Sequence, residues 1–371
     1  MDPDLWIMGN ITRVTLRTSP SRDALLMELN EEQALLYLPV IVYMALLMVV
    51  GTTGNLLVCY VFYNKPYRST SRIFILTLAV LDLTCCVVGM VVEIVDLRFP
   101  YTFDDIVACR LLRFTTFATS IASGTVLVCV AFDRFFKVCR PIRRQLSGRV
   151  IRRMCIGATC LGAFCSWPAV LLFGIRAVQT KHLDVVGTDC STSDNVSNTF
   201  YPIIYYGFLL SLFVVGLVIL IVLYTLIGTR LYHLKKRKPT QGALTPAISS
   251  LSVTSGAVTV KTVAVRKPTL TRRFSKALRH TTKTTWMLFV ITLVFVLSFL
   301  PYLIVMVLRH TIPDFEFTRS PSEQLIVNFC LRSYFINSSV NPIIYALMNR
   351  QFRLRSRNVL LSCTLGCNKY R

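Results

Sequence analysis

Long uninterrupted runs of apolar residues alternate with short polar segments along this chain. Five of the runs contain no charged residue, at 35–63, 114–132, 154–175, 200–228 and 284–308. A helix of about 20 apolar residues crosses the hydrocarbon core of a bilayer. Five uncharged runs of this length exceed what a soluble fold needs, so they predict membrane-spanning helices.

Two further runs are apolar apart from one charged residue each. Asp82 lies within 73–92, and Arg332 lies within 325–348. With their flanks, the seven predicted spans cover about 35–63, 73–97, 107–139, 150–175, 200–233, 278–308 and 323–348. The pattern therefore predicts an all-α membrane protein, a seven-transmembrane helix bundle within residues 35–348.

The segment after the last predicted span follows a different pattern. In "NRQFRLRSRNVLLS", apolar residues stand among arginines at a spacing that suits one face of a helix. We expect 349–371 to contain a short amphipathic helix on the inner leaflet, followed by a cytoplasmic tail. Cys363 and Cys367 lie just beyond these residues and are either palmitoylated or free thiols.

Positive charge is divided unevenly between the segments that join the spans. The chain is 54% hydrophobic and 16% charged, with a net charge of +23. Counted from the ends of the uncharged runs, so that Asp133 and Arg134 fall after span three, the segments after spans one, three, five and seven contain 30 of the 41 basic residues and one acid, Asp133, whereas the other side has 11 basic residues and 17 acids. Lysine and arginine favour the cytoplasmic side. We therefore expect a plasma-membrane protein with an extracellular tail at 1–34 and a cytoplasmic carboxyl terminus.

Residues 234–277 form the one long connection between predicted spans. This segment is rich in small, hydroxyl-bearing and basic residues and contains no acid. It indicates a flexible cytoplasmic loop whose ends continue spans five and six as helices. Its charge suits anionic lipid, an acidic protein partner or both, and nucleic acid is not expected. Two arginines precede Ser275, which is a candidate phosphorylation site.

Covalent modifications are predicted on the outer side. Asn10 and Asn195 stand in the Asn-X-Ser/Thr pattern of glycosylation acceptors. Cys109 and Cys190 are the two cysteines in the outer segments. An oxidising compartment favours a disulfide between them over two free thiols.

Asp82 is an acid within an apolar span and has no charged neighbour in the sequence. An ionisable residue inside a bilayer is costly and indicates function. Together with short polar residues of other spans it could hold a sodium ion, or it could be protonated and join helices by hydrogen bonds. The candidate partners are Asn55, Ser123, Asn337 and Asn341.

Pro301 and Pro342 stand inside predicted spans six and seven. Proline removes a backbone hydrogen bond and permits a kink, so both positions are candidate hinges. In "NSSVNPIIY", small polar residues precede Pro342 and Tyr345 follows it by one turn.

Six motifs fall one per span or span end and in a fixed order. They are "GTTGN" at 51–55, "LAVLD" at 78–82, Cys109, "DRF" at 133–135, "FLP" at 299–301 and "NPIIY" at 341–345. In this order and spacing the chain resembles the rhodopsin-like (class A) G-protein-coupled receptors over about 35–367. The peptide-binding members are the most similar.

The resemblance implies roles for the residues near the inner ends of the spans. Arg134 would be held by Asp133 at rest and would contact a heterotrimeric G protein when span six swings outward. Tyr224 and Tyr345 would support the active state. Thr281 stands where some members have an acid, so no salt bridge between spans three and six is expected. Arrestin and receptor kinases are further implied partners.

The resemblance also implies a sodium pocket, a disulfide and an activation hinge. The pocket would consist of Asp82, Ser123, Asn337 and Asn341, and the disulfide would join Cys109 and Cys190. The hinge would contain Phe295, Phe299, Pro301 and Pro342. Several positions depart from the family pattern: Phe135 replaces a tyrosine, Phe299 a tryptophan, Gly124 a branched residue and Gly216 a proline, and the tryptophan of span four is absent. The relay between pocket and inner end must therefore be packed differently.

Two classes of ligand are excluded because the residues that bind them are absent. Opsins need a lysine where this chain has Phe335, and amine receptors need an aspartate where it has Thr116. Charges of both signs near the outer ends suit a peptide, and we expect a neuropeptide, unless these charges pair with one another or reach lipid headgroups. The pocket candidates are Glu93, Arg113, Thr116, Tyr302 and Arg332.

Other functions compete less well with a receptor. A lipid or another anionic small molecule also suits a cationic pocket, and a receptor of the same fold that does not signal is the nearest rival. A transporter would show repeated halves. The four histidines lie outside the uncharged apolar runs and lack metal-ligand spacing, so neither an enzyme nor a cofactor other than sodium is expected.

Overall fold

A computed structural model describes residues 21–63, 70–141, 145–180, 185–197, 199–236, 269–311 and 320–367. Six long apolar helices have the length and composition needed to cross a membrane. They are named span one to span six: Arg22–Tyr63, Thr70–Arg98, Ile106–Cys139, Gly148–Leu172, Tyr201–Lys236 and Thr269–Thr311. Side-chain caps begin two of them, since Asp105 accepts from the amides of Val107 and Ala108, and Ser147 accepts from Val150.

Span seven consists of two helices, Pro321–Leu331 and Phe335–Met348. Its start is fixed by a capping box between Ser320 and Glu323. We predicted one unbroken helix over 323–348, and the turn at 332–334 corrects this. The Ser333 hydroxyl donates to the Ser298 carbonyl of span six at 2.7 Å and holds the turn against the bundle. With this seventh crossing, the predicted seven-helix bundle is confirmed.

Span one begins well before the predicted residue 35. Its first three turns belong to the segment 22–34, which we predicted as part of the tail. Asn30 donates to Thr102 Oγ1 at 2.8 Å and accepts from the Tyr101 amide at 3.0 Å. Gln33 donates to Gln324 Oε1 at 3.1 Å. These contacts and the buried Leu29 fix the extension on the neighbouring loop and on span seven.

A two-stranded antiparallel sheet interrupts the otherwise helical fold. Strand β1 is Phe173–Gln179 and strand β2 is Val186–Thr192, with Ile175 opposite Cys190. Span four ends at Leu172, three residues before the predicted boundary, because the chain enters β1. The prediction of an all-α protein missed this hairpin, whose residues are half-buried against span three.

The predicted disulfide is present between Cys109 at the start of span three and Cys190 in β2. The Cα atoms of the pair are 5.4 Å apart, and both cysteines are buried. The bridge fixes the hairpin over the bundle. The end of the bundle with this bridge and the hairpin is called the disulfide end, and the opposite end, where span three finishes, is called the arginine end.

Small residues permit close contact between helices, as is usual in membrane bundles. A Cβ on Gly162 of span four would lie 2.5 Å from the Ala118 carbonyl oxygen of span three. A Cβ on Gly54 of span one would lie 2.7 Å from Pro342 Cβ of span seven. Since neither position has room for a side chain, each glycine sets the spacing of its pair of spans.

The predicted helix after the last span is Arg350–Cys367. Phe352 is buried and stacks on Phe62 of span one, with ring centroids 5.9 Å apart. Arg353 donates to the carbonyls of Ala346 and Leu347 at the end of span seven. The helix is therefore anchored to the bundle by one ring and one guanidinium. Residues 237–268 of the predicted loop lie outside the described residues.

Candidate functional site

Polar side chains meet in three layers along the bundle. At the arginine end, Arg134 donates to Asp133 Oδ2 at 2.6 Å and to Ser71 Oγ of span two at 2.7 Å. Lys137 donates to the same Asp133 oxygen at 2.7 Å and also to the Thr70 hydroxyl. Asp133 and Arg134 are buried. We call these five residues the arginine clasp. It joins the end of span three to the start of span two.

Phe135 faces away from the arginine clasp. It packs in a cluster with Leu220, Leu223 and Tyr224 of span five. The Arg140 guanidinium lies over its ring at 5.9 Å from the centroid. The missing tyrosine hydroxyl therefore leaves an apolar contact between spans three and five.

The two tyrosines implied in activation occupy separate positions. Tyr224 is 3.1 Å from Thr292 Oγ1 of span six and packs edge-on against Phe289. Tyr345 is buried between Phe62 and Phe352, and its hydroxyl has no hydrogen-bond partner among the residues described. The structure does not bring the two hydroxyls together.

Asp82 lies at the centre of the middle layer. Asn341 donates to Asp82 Oδ2 at 2.8 Å. Asn55 does not reach Asp82 by a hydrogen bond; it donates to the Gly51 carbonyl at 2.9 Å and to the Ser338 carbonyl at 2.8 Å. These bonds join spans one, two and seven.

Four buried oxygens around this layer have no hydrogen-bond partner within the described ranges. They are Asp82 Oδ1, Asn55 Oδ1, Asn337 Oδ1 and Asn341 Oδ1. Ser123 of span three is also buried, without a hydrogen bond to Asp82 in the same ranges. Buried oxygens with free lone pairs are the donor set that a hard cation takes. The side chains therefore fit a sodium ion.

Aromatic rings connect the middle layer to the disulfide end. Phe299 lies 4.7 Å from Phe295, 6.2 Å from Phe213 and 5.7 Å from Tyr334, measured between ring centroids. Gly124 accommodates this arrangement, since a Cβ there would lie 3.0 Å from Phe295 Cζ. Gly124 in span three thus leaves the room that the Phe295 ring of span six needs beside Phe299. Two of the departures from the family pattern, Gly124 and Phe299, therefore belong to one packing unit with Phe295.

Pro301 and Pro342 stand inside their helices, as predicted. Pro301 lies two residues beyond Phe299, and Pro342 lies beside Asn341. The carbonyl that Pro342 frees, that of Ser338 four residues earlier, accepts from Asn55 Nδ2 at 2.8 Å. The position of both candidate hinges next to the aromatic rings and the Asp82 layer is what the resemblance implies.

At the disulfide end, Glu93 is buried between two arginines. Its Oε1 pairs with Arg332 Nη2 at 3.0 Å, and its Oε2 lies 4.0 Å from Arg113 Nη1. Arg113 also donates to the Cys190 carbonyl at 2.9 Å and lies over the Phe173 ring. We call Glu93, Arg113 and Arg332 the outer charge cluster. Mutual pairing, which the sequence left as an alternative to ligand contact, is what the structure shows for these charges.

Two backbone irregularities place the outer charge cluster. Span two contains a π-helical segment, Cys85–Gly89, between Asp82 and Glu93. Such a segment shifts the faces of the helix that follows it, and Glu93 is turned inward. Arg332 is the first residue of the turn that interrupts span seven. Neither irregularity has a signal in the sequence that we recognised.

Thr116 and Tyr302 lie below and beside the outer charge cluster. Thr116 is buried, and its hydroxyl has no hydrogen-bond partner within the described part of the chain. Tyr302 packs edge-on against Tyr334, with centroids 5.2 Å apart. Thr116 thus faces span two, where a Cβ on Gly89 would lie 3.4 Å from its hydroxyl, and Tyr302 joins spans six and seven.

The modification candidates are described only in part. Asn195 is exposed in a single helical turn, Asp194–Ser197, at the disulfide end. Asn10 lies outside the described residues. The side chains of Ser275, Cys363 and Cys367 also lie outside them.

Sequence reasoning missed several contacts. Lys137 stands one helical turn after Asp133, and this i,i+4 spacing of opposite charges was a usable signal. Ser71 carried no signal, because its contact depends on how spans two and three pack. Asn30 and Gln33 share one face of a helix with buried leucines, so their spacing could have shown that the tail is helical.

The fold and its buried polar layers define a seven-helix membrane receptor. The "7 transmembrane receptor (rhodopsin family)" pattern matches residues 54–345, and the chain belongs to this family. It is accordingly a G-protein-coupled receptor and a multi-pass protein of the plasma membrane, not an enzyme.

Individual receptors are similar over most of the chain. Neuromedin-U receptor 2 of Mus musculus is 27% identical over 344 residues, which are 90% of this chain and 78% of that receptor. Thyrotropin-releasing hormone receptor of Ovis aries is 25% identical over 347 residues, 90% of this chain and 82% of that receptor. Neuromedin-U receptor 1 of Mus musculus is 25% identical over 336 residues, 88% of this chain and 73% of that receptor.

Proposed function

We propose that this receptor binds an extracellular neuropeptide at the disulfide end and activates a heterotrimeric G protein at the arginine end. The observation that carries the peptide assignment is Arg113 of the outer charge cluster, which lies 4.0 Å from Glu93 Oε2 and keeps 22% of its side chain exposed, so that its pairing leaves it accessible to a ligand. Charges of both signs complement a peptide's charged side chains or terminus. The similar receptors are named for neuromedin-U and thyrotropin-releasing hormone, which supports a peptide ligand.

The disulfide end is proposed to be extracellular and the arginine end cytoplasmic. The excess of lysine and arginine in the segments at the arginine end supports this orientation. The disulfide and the exposed Asn195 both suit an oxidising compartment with glycosylation. Asn10 belongs to the same side and is proposed to carry the second glycan.

Activation is proposed to open the arginine clasp. Agonist would shift the rings around Phe299, and the part of span six that precedes Pro301, at the arginine end, would move away from span three. Arg134 would then leave Asp133 and Ser71 and contact the G protein. Tyr224 and Tyr345 would support the open state. The direct bond between Arg134 and Asp133 supports this role, since it must break before Arg134 can contact a partner.

A sodium ion is proposed to bind beside Asp82 and to stabilise the resting state. The four buried oxygens without partners support this assignment. When bound, the ion supplies a positive charge that offsets the buried carboxylate. Asp82→Asn should then remove the sodium dependence of agonist affinity, measured by displacement of labelled agonist in sodium or potassium chloride. An unchanged sodium response would leave Asp82 as a helix-joining residue only.

Arrestin and receptor kinases are proposed as later partners at the arginine end. Family membership and the phosphorylation candidate Ser275 support them. Cys363 and Cys367 are proposed palmitoylation sites, because they stand at the end of the helix Arg350–Cys367 that packs beside span one. Acylation there would add a lipid contact to the anchor that Phe352 already provides.

The test is a panel of neuropeptides applied to cells that express this chain with a promiscuous G protein, read as calcium release. A peptide response identifies the ligand.

Arg113→Ala should then raise the half-maximal concentration of that peptide by roughly tenfold or more, through loss of a charge-assisted contact. Arg176→Ala removes a partly exposed arginine of β1 and is the matched control. A response only to lipids or anionic metabolites would replace the peptide assignment, and ligand uptake without nucleotide exchange would identify a non-signalling receptor.

A further inference from the structure

Asp133 receives two cations on a single carboxylate oxygen. Arg134 Nη2 lies 2.6 Å and Lys137 Nζ lies 2.7 Å from Asp133 Oδ2. Asp133 Oδ1 accepts no hydrogen bond among the described residues. The two cations repel each other and share one acceptor, so each weakens the attraction that the carboxylate exerts on the other.

The release of Arg134 would ordinarily leave a buried carboxylate without a counter-charge. Asp133 is 1% exposed, and breaking a buried ion pair by removing one partner costs about 3–5 kcal/mol. Lys137 remains beside Asp133 when Arg134 leaves, because both stand on span three one turn apart. The carboxylate is then still paired.

The positions of the two cations favour the release of Arg134 while Lys137 stays beside Asp133. The Arg134 side chain is 3% exposed, whereas that of Lys137 is 22% exposed and keeps contact with water. Lys137 is also held by the Thr70 hydroxyl at the start of span two. It therefore has a fixed place beside Asp133 whether or not Arg134 occupies its own.

We propose that Lys137 is a positioning residue of the arginine clasp that sets how readily Arg134 is released. It lowers the hold of Asp133 on Arg134 in the resting receptor and neutralises Asp133 in the open one. Both effects favour the open state, so Lys137 raises basal nucleotide exchange. The inference rests on the proposed coupling role of Arg134 and deepens it.

The test uses full-length receptor purified into bilayer nanodiscs with a purified G protein. Lys137→Gln removes the second cation and should lower basal nucleotide exchange roughly threefold to tenfold, as expected for loss of one hydrogen bond of ordinary net strength at a partly exposed side chain. It should raise the half-maximal agonist concentration in the same proportion. Lys137→Arg keeps the charge and should restore both values. Arg152→Gln, an exposed cation near the start of span four, is the control for loss of positive charge at this face.

A double-variant cycle separates the clasp from a direct contact between Lys137 and the G protein. Asp133→Asn should raise basal exchange, and adding Lys137→Gln to it should cause no further change. If Lys137→Gln lowers basal exchange equally in the parent and in the Asp133→Asn variant, the inference is overturned. A rise in basal exchange for Lys137→Gln, or a fall no larger than that of Arg152→Gln, would overturn it as well.

Failure of the proposed function gives a different result. A receptor that binds agonist but never stimulates exchange on any G protein refutes coupling itself. If Lys137→Gln does not reach the membrane, Lys137→Met replaces it, since its unbranched apolar chain preserves packing with span two. The inference is refuted when the folded variant couples as the parent does.

Discussion

The two ends of the bundle each bury one carboxylate between two cations, yet they do so differently. At the disulfide end, Glu93 uses one oxygen for Arg332 and the other for Arg113. At the arginine end, Asp133 uses one oxygen for both Arg134 and Lys137. The outer charge cluster joins spans two, three and seven, whereas both cations of the arginine clasp come from span three.

This difference makes the outer charge cluster a stable contact between helices and the arginine clasp a contact that can be released. Neither arginine of the outer charge cluster competes for the oxygen of the other, and losing either would leave Glu93 partly unpaired. In the arginine clasp the cations compete, and the loss of one leaves the other in place. The same residue types thus stabilise helix packing at one end and allow a change of partner at the other.

The largest expected effect is at the arginine end. Arg134→Ala should lower agonist-stimulated nucleotide exchange by about a hundredfold or more, because the group that replaces its buried contacts with contacts to the G protein is gone. Agonist binding, measured on the same membranes, should stay within about twofold. Exchange at the parental rate would refute the role of Arg134, and Arg152→Ala is the matched control.

The next effect is at the disulfide end. Glu93→Gln leaves two arginines beside an uncharged amide, which should lower the free energy of unfolding by about 3 kcal/mol. Thermal unfolding of the purified receptor measures this, with the exposed Glu28→Gln as control. The comparison predicts a smaller loss of stability for Asp133→Asn, accompanied by higher basal exchange. Equal losses without a change in exchange would erase the distinction between the two ends.

A third effect concerns the hairpin that covers the outer charge cluster. Cys190→Ala removes the disulfide and should destabilise the receptor by about 2–4 kcal/mol, with reduced surface expression. Agonist affinity should fall as well, because the Cys190 carbonyl that accepts from Arg113 is no longer fixed. Cys160→Ala, an exposed free thiol, is the control. Normal expression and affinity would mean that packing alone holds the hairpin.

The smallest effect is at the extension of span one. Asn30→Ala removes two hydrogen bonds to the loop at Tyr101 and Thr102 and should lower stability by about 1–2 kcal/mol. Met27→Ala, at an exposed position on the same turn, should have little effect. Unfolding curves that coincide for the parent and Asn30→Ala would show that the extension does not contribute to stability at the disulfide end.

Much of the architecture was predictable because it depends on local quantities. Apolar run length gave the seven crossings, and cysteine placement gave the bridge between Cys109 and Cys190. The break in span seven was not predictable, since the apolar pattern runs through residues 332–334 without interruption. The extension at 22–34 was missed because its buried face is narrow and its other faces are charged.

The candidate sites divide in the same way. The sequence pointed to Asp82 with its amide neighbours, to the pair Asp133 and Arg134, and to the charges at the disulfide end. It left open whether Glu93 and its arginines pair with one another, and it gave no partner for Lys137. It also presented Gly124 and Phe295 as unrelated positions, although the Phe295 ring occupies the space beside Gly124 that a larger side chain would fill.

The sequence by itself therefore determined the number of spans, the family motifs and which residues carry charge into the bundle. Hydropathy and spacing are properties of the chain, so no packing information was needed for them. The tertiary structure alone decided which cations share an oxygen and which have one each. That depends on how each helix is rotated and where the π-helical segment and the turn in span seven fall. These features are set by contacts between residues far apart in the chain.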